Sequence, residues 1–175
     1  MNSLSIYLTG SNGFVGSHLK KYLSKSGFHV SCLNRNSSFF DQINLNLIDN
    51  STPFIIIPCA SAHQLNSPIA SIMNSNLTMA FDLHKIAITS TQCLGIINLS
   101  SVSIYGIPSI DVLSENKLHF QTNIYGASKL GVENIIDLLY SFSFNRPIYH
   151  LRLPGIVGLG SLKSSNNFIS YSCFI

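Results

Sequence analysis

The chain has 175 residues, of which 46% are apolar and only 10% are charged, and its net charge is +3. This length normally forms one domain with a real hydrophobic core. The small charge, without interleaved basic and aromatic residues, argues against a nucleic-acid surface, and no apolar run approaches the roughly 18 residues of a membrane helix. Four separated cysteines without a C-x-x-C pair, and no visible signal peptide, predict a cytoplasmic protein with free thiols.

The first element is a strand over Ser5–Leu8 that leads through glycines into a helix over SHLKKYLSKS. Gly10, Gly13 and Gly16 form the pattern G-x-x-G-x-x-G, one residue wider than the usual dinucleotide fingerprint. Glycines let the backbone approach a pyrophosphate, and the following helix N-terminus offers free N–H groups. The stretch therefore predicts a phosphate-binding turn.

A second strand, His29–Leu33, is followed by Asn34 and Arg35. The end of this strand is where dinucleotide folds contact the adenosine ribose, and an acidic residue there favours NAD. An amide followed by a guanidinium is better suited to a 2′-phosphate. We therefore expect NADP or NAD, with a preference for NADP; the alternative is that Arg35 is an ordinary surface residue.

The rest of the chain alternates strands and helices. We expect small residues where the backbone passes close to a bound cofactor. Such residues follow the predicted strand over 54–57, at Cys59, Ala60 and Ser61. The alternation predicts an α/β protein with a doubly wound parallel sheet, right-handed crossovers and helices on both faces. The predicted elements are strands over 43–47, 54–57, 95–99 and 148–153, with helices over 69–90 and 125–142.

Tyr125 and Lys129 are four residues apart at the start of a predicted helix, so their side chains lie on one face. A free tyrosine has a pKa of about 10, and a nearby ammonium together with an oxidised nicotinamide would lower it. Tyr125 could then exchange a proton with a substrate hydroxyl while hydride moves between the same carbon and the cofactor. Ser101 follows the fifth strand, at the sheet edge where ligands bind, and could orient that oxygen.

Together, TGSNGFVGSHL, LSSVSIYG, YGASK and LRLPGIVGLG resemble the extended short-chain dehydrogenase/reductase family of nucleotide-sugar epimerases, dehydratases and reductases. The resemblance covers nearly all of residues 4–160. It implies a Rossmann fold with strand order 3-2-1-4-5-6. It also implies that Ser101, Tyr125 and Lys129 are catalytic, with Lys129 on the nicotinamide ribose, and that Asn76 has a structural and proton-relay role.

The residues expected to contact the dinucleotide come from several turns. They are Gly10, Asn12, Gly13, Phe14, Val15, Gly16, Asn34, Arg35, Cys59, Ala60, Ser61, Tyr125, Lys129 and Pro154. The histidines show no metal-ligand spacing, so no metal site is expected. Tyr105 has no lysine four residues later and is interpreted as a packing residue.

We expect a dinucleotide-binding domain over 1–160 and the start of a truncated substrate region over 161–175, with most of the substrate domain missing. The resemblance implies a nucleotide-sugar substrate and allows a homodimer, without nucleic-acid or membrane partners. The alternatives are a dinucleotide-binding module without turnover and a non-functional remnant of a longer gene. Asn46 stands where the family usually has an aspartate near the adenine.

Overall fold

The computed structural model describes residues 4–33, 51–62, 68–106, 114–115, 123–141 and 145–156. Five strands and three α-helices alternate along these residues. They are β1 (Ser5–Thr9), α1 (Phe14–Lys25), β2 (His29–Leu33), β3 (Phe54–Pro58), α2 (Ile69–Thr89), β4 (Cys93–Ser101), α3 (Ile124–Ser141) and β5 (Ile148–Leu153), with a short 3-10 helix at Val102–Tyr105 between β4 and α3.

The described strands form one parallel sheet in the order β2-β1-β3-β4-β5. This arrangement confirms the predicted doubly wound sheet. The predicted strand over 43–47, which would extend it beyond β2, lies outside the described residues, as do Asn46 and residues 157–175.

The largest differences from the predicted element boundaries are in α1 and β4. Helix α1 begins at Phe14 rather than at Ser17, because Gly13 occupies the N-cap position and the last glycine of the turn, Gly16, lies inside the helix. Strand β4 is longer at both ends than 95–99 and includes Ser101 as its last residue. The predicted catalytic serine is therefore fixed by the sheet ladder.

The central strands are apolar because helices cover them on both faces. The larger core lies between the sheet and the pair α2–α3, with Tyr7 stacked on Phe54 at 4.2 Å between ring centres. A smaller core, built on Ile6, Leu8 and Ile57, packs against α1. No helix among the described residues is both long and apolar enough to cross a membrane.

Strand β5 alternates between two environments. His150 and Arg152 face α3 and are hydrogen-bonded to its acidic side chains. Tyr149 and Leu151 point to the other face and are 59% and 44% exposed. This end of the sheet therefore presents an apolar surface that the described residues leave uncovered.

Candidate active site at the carboxyl edge of the sheet

The glycine turn after β1 is closed by tight backbone packing. Gly10 has φ +64°, and a Cβ there would lie 2.6 Å from the amide nitrogen of Ala60. A Cβ on Gly16 would lie 2.2 Å from the Gly10 carbonyl oxygen. That same oxygen accepts a hydrogen bond from the Gly13 N–H at 2.9 Å. Since neither clash involves a flexible side chain, two of the three glycines are required by the fold itself.

Gly13, the third glycine, has a different role because it is exposed and lies at the N-cap of α1. No side chain caps the helix there, and no acidic residue lies in its first turn. The first amides of α1 are thus open to an anion, and the helix dipole favours one. The turn fits the pyrophosphate of a dinucleotide in both shape and charge.

The segment after β3 forms the wall beside this turn. The Ala60 N–H donates to the Thr9 hydroxyl at 3.0 Å, which ties the ends of β1 and β3 together. Burial raises the pKa of the Cys59 thiol to about 12, and nearby Lys129 acts in the opposite direction. Cys59 is therefore a neutral thiol at physiological pH and is not an activated nucleophile.

Asn76 of α2 joins this wall to α3. Its side-chain oxygen accepts from the Ala62 N–H at 2.8 Å, and its Nδ2 donates to the Ala62 carbonyl and to the Ser128 hydroxyl at 3.2 and 3.0 Å. Ser128 in turn donates to the Tyr125 carbonyl at 2.8 Å. Asn76 and Ser128 are 2% and 0% exposed, so this polar clamp fixes the start of α3 against the loop after β3.

The clamp holds Tyr125 and Lys129 on one face of α3. The Lys129 ammonium donates to the Leu99 carbonyl of β4 at 2.8 Å and lies 5.8 Å from the centre of the Tyr125 ring. Burial lowers the pKa of Lys129 to about 8, while the Glu133 carboxylate favours its charged form. The lysine can therefore change its charge close to physiological pH.

The pKa of the Tyr125 phenol is governed by its burial. Burial raises the pKa of its phenol, and a hydrogen bond with Ser61 acts in the opposite direction. In the protein chain itself the desolvation of the phenolate outweighs the hydrogen bond with Ser61. The lowering of the pKa by the lysine together with an oxidised nicotinamide stays a prediction.

Ser101 ends β4 at the same edge of the sheet, but its hydroxyl makes local hydrogen bonds. Its Oγ accepts from the Ser103 N–H at 3.1 Å and donates to the Ser103 hydroxyl at 3.1 Å. Ser101 thus caps the 3-10 helix that follows. To donate to a substrate oxygen, its O–H must rotate away from Ser103 while the backbone contact keeps the oxygen in place.

The structure brings most of the predicted site residues to one sheet edge. The glycine turn (residues 10–16) follows β1, the segment 59–61 follows β3, and Ser101 ends β4. Tyr125 and Lys129 lie on α3, where Lys129 is bound to the Leu99 carbonyl near this end of β4. Pro154 follows β5 and is exposed, and Asn34 and Arg35 lie outside the described residues. Sequence reasoning missed Ser128, whose only signal was its place inside the Tyr-x-x-x-Lys motif.

It also missed Glu133, although Glu133 lies on the same helix face as Tyr125 and Lys129 at a spacing of four. Glu133 forms a two-pronged ion pair with Arg152, and Arg152 also donates to the Tyr105 hydroxyl at 2.9 Å. Tyr105 is therefore part of a polar network as well as a packing residue. Nothing in the local sequence pattern could pair residues from α3 and β5.

The fold and the motifs agree with comparisons against known proteins. The chain is 27% identical over 163 residues to a UDP-glucose 4-epimerase of Cyamopsis tetragonoloba, across 75% of this chain and 46% of that protein. The crystal structure of UDP-N-acetylglucosamine 4-epimerase from Bacillus cereus matches with a TM-score of 0.79 at 22% identity, over 97% of this chain and 66% of that one. UDP-glucuronic acid 4-epimerase from Bacillus cereus in complex with NAD matches with a TM-score of 0.66 at 22% identity, over 86% and 56%.

The two structural matches show the same fold, and the chain spans about half the length of the curated relative it matches. The model of the NAD dependent epimerase/dehydratase family matches residues 6–172, which is nearly the whole chain. The protein therefore belongs to the NAD dependent epimerase/dehydratase family.

Proposed function

We propose that this chain binds NAD(P) along the carboxyl edge of its sheet and uses Tyr125 and Lys129 for redox chemistry on a nucleotide sugar. The observation that carries the proposal is the position of the Lys129 ammonium. It is buried and held on the Leu99 carbonyl, one helical turn from Tyr125, beside the wall that packs on Gly10.

The glycine turn and the amides of α1 hold the pyrophosphate. Asn12, Phe14 and Val15 lie in this turn and the first residues of α1, and Cys59 to Ser61 line the wall that runs toward Lys129. Lys129 binds the hydroxyls of the nicotinamide ribose and contributes positive charge beside the phenol. When bound, the dinucleotide accepts hydride from the substrate carbon and can return it.

Tyr125 moves the proton that accompanies this hydride. Its phenolate takes the hydroxyl proton as the alcohol becomes a ketone, and the phenol returns it when the ketone is reduced on either face. Because burial raises the pKa of Tyr125, the ammonium and an oxidised nicotinamide must favour the phenolate together. Ser101 orients the same substrate oxygen after its O–H rotates away from Ser103.

The relatives suggest which substrate and which dinucleotide to test. One solved complex of the Bacillus cereus UDP-glucuronic acid 4-epimerase contains UDP-glucuronic acid and NAD. These relatives support NAD and a UDP-sugar, whereas Asn34-Arg35 favours NADP. Parallel titrations with NADH and NADPH, repeated on Arg35→Ala, decide between them: only a phosphate-binding Arg35 makes that variant lose affinity for NADPH alone.

The central experiment compares turnover of UDP-glucose, UDP-N-acetylglucosamine and UDP-glucuronic acid by the wild type and by Tyr125→Phe. The substitution removes only the hydroxyl, so we expect it to leave NADH affinity within about twofold and reduce turnover by about 100-fold or more. Tyr22→Phe is the matched control, at an exposed tyrosine of α1 without a lysine four residues later. Unchanged turnover in Tyr125→Phe would show that another group moves the proton.

A second candidate function is dinucleotide binding without turnover. It is favoured by two observations on the site itself: burial raises the pKa of the Tyr125 phenol, and the Ser101 hydroxyl donates to Ser103. NADH binding that depends on the glycine turn, with no turnover of any UDP-sugar, would support it. A wild-type chain that folds but binds neither NADH nor NADPH would contradict both candidates.

We also propose that the protein works in the cytoplasm as a monomer or a homodimer. The thiols of Cys32, Cys59 and Cys93 are unpaired, as in a reducing compartment. Sedimentation at several protein concentrations tests the oligomeric state, and fluorescence microscopy of a tagged chain tests the compartment.

A further inference from the structure

A largely buried ion pair between Glu133 of α3 and Arg152 of β5 lies one helical turn from Lys129. The Arg152 Nε and one terminal nitrogen donate to the two oxygens of Glu133 at 3.2 and 2.8 Å. The Glu133 side chain is 3% exposed and that of Arg152 is 19% exposed. The guanidinium also donates to the Tyr105 hydroxyl and lies 5.1 Å from the centre of its ring. We call Tyr105, Glu133 and Arg152 the Glu133 cluster.

Each member of this cluster belongs to an element that carries or adjoins a predicted catalytic residue. Tyr105 ends the 3-10 helix that begins directly after Ser101. Glu133 follows Lys129 by one turn of α3. Arg152 lies beside Ser100 in the β4–β5 ladder. The cluster thus joins α3, β5 and the carboxyl end of β4, next to the proposed catalytic residues.

The charges of the cluster also act on Lys129. Burial disfavours the charged lysine, and Glu133 is the ionised group that opposes it, since Cys59 is a neutral thiol in this pH range. Glu133 is itself kept ionised, because the two hydrogen bonds and the charge of Arg152 outweigh the effect of burial and lower the pKa of its carboxyl. The titratable groups that face this region from the described elements are Cys59 after β3, Tyr125 and Glu133 on α3, His150 and Arg152 on β5, and Tyr105.

We propose that the Glu133 cluster is a positioning unit for the proposed Tyr125–Lys129 pair, which keeps the lysine charged and fixes its helix against the end of β4. This inference rests on the proposed function, since the charge of Lys129 matters there for dinucleotide binding and proton transfer. Glu133 touches neither substrate nor cofactor in this account and acts only through Lys129.

The test measures the charge of Lys129 without requiring turnover. Acetic anhydride labels only uncharged amines, so the labelling rate of the Lys129 peptide against pH, followed by mass spectrometry, reports the titration of this lysine. Glu133→Gln keeps the shape and removes the carboxylate, and Glu133→Asp restores the charge. Asp137→Asn is the matched control, because it removes the same charge one turn further along α3, where Asp137 pairs with His150.

In Glu133→Gln we expect the labelling midpoint of Lys129 to fall by about one pH unit, with Glu133→Asp closer to the wild type and Asp137→Asn unchanged. At about pH 8 such a shift reduces the charged fraction from roughly one half to one tenth, so NADH should bind about fivefold more weakly. Equal midpoints in Glu133→Gln, Asp137→Asn and the wild type would overturn the proposal.

Breaking a buried pair can unfold a protein by leaving one charge without a partner. The double variant Glu133→Gln/Arg152→Gln avoids this, because a neutral amide pair replaces both charges. Its midpoint should fall less than that of Glu133→Gln, because the repulsion of Lys129 by Arg152 is removed together with the attraction by Glu133. A midpoint at or above that of the wild type in the folded double variant would overturn the proposal. If the wild type binds no dinucleotide, the proposed function fails while the labelling experiment still decides whether Glu133 controls the charge of Lys129.

Discussion

Replacing Lys129 by methionine should stabilise the protein at neutral pH while removing its proposed activity. Burial lowers the pKa of Lys129 from 10.5 to about 8, and the residue is 5% exposed. At about 1.4 kcal/mol per pH unit, the folded state therefore holds the charged lysine at a cost of about 3 kcal/mol. Methionine keeps a stem of similar length without the charge.

The pH dependence gives the sign of this effect. Below about pH 8 both the folded and the unfolded chain carry the ammonium, so the whole penalty is present. Between about pH 8 and pH 10.5 the folded protein loses the proton first, and the wild type gains stability as the pH rises. The free energy of unfolding of the wild type minus that of Lys129→Met should therefore rise by about 2 to 3 kcal/mol between about pH 7 and pH 10.

Urea unfolding at a series of pH values, followed by circular dichroism, measures this difference. Cys93 and Tyr125 also titrate abnormally but are present in both proteins. Cys59 is coupled to Lys129, but its pKa of about 12 keeps it a neutral thiol in both proteins up to about pH 10. The Leu99 carbonyl loses its donor in the variant, which costs about 1 to 3 kcal/mol and offsets the curve without changing its slope. Lys20→Met, at an exposed position of α1, is the control and should give a flat difference. A flat difference for Lys129→Met would refute the argument from burial.

Three further predictions concern the turn, the clamp and the phenol. Gly10→Ala should lower the free energy of unfolding by about 2 kcal/mol or more and abolish NADH binding, because the new Cβ meets the Ala60 amide in a left-handed conformation. Thermal unfolding and NADH titration measure the two effects. Gly155→Ala, where a Cβ meets nothing within 4 Å, is the near-neutral control. Asn76→Ala should lower the free energy of unfolding by about 2 to 4 kcal/mol, because the Ala62 N–H and the Ser128 hydroxyl lose their hydrogen bonds to Asn76. Urea unfolding measures this loss, and a loss no larger than that of the exposed Asn74→Ala would contradict a stabilising role of the clamp. Ser61→Ala should raise the pKa of Tyr125 further, since Ser61 is the group that favours the phenolate; an ultraviolet titration of tyrosine ionisation, with Tyr125→Phe subtracted, checks it, and an unmoved or lowered pKa would count against it.

The local features of this protein were determined by the sequence alone. The apolar run at Phe54–Ile57 predicts a buried parallel strand, because only residues covered on both faces are continuously apolar. The three glycines predict the turn and its helix, and a spacing of four puts Tyr125 and Lys129 on one helix face. Each of these inferences depends on neighbours within one or two turns of the chain.

The tertiary structure alone decided the charges and partners of the same residues. Burial raises the pKa of Tyr125 in the protein chain itself, because packing of the clamped helix against the sheet desolvates the phenol more than the hydrogen bond with Ser61 compensates. Glu133 pairs with Arg152, 19 residues away, because β5 returns beside β4 beneath α3. Burial and ion pairing depend on which distant surfaces meet, and a local pattern of residue types carries no such information.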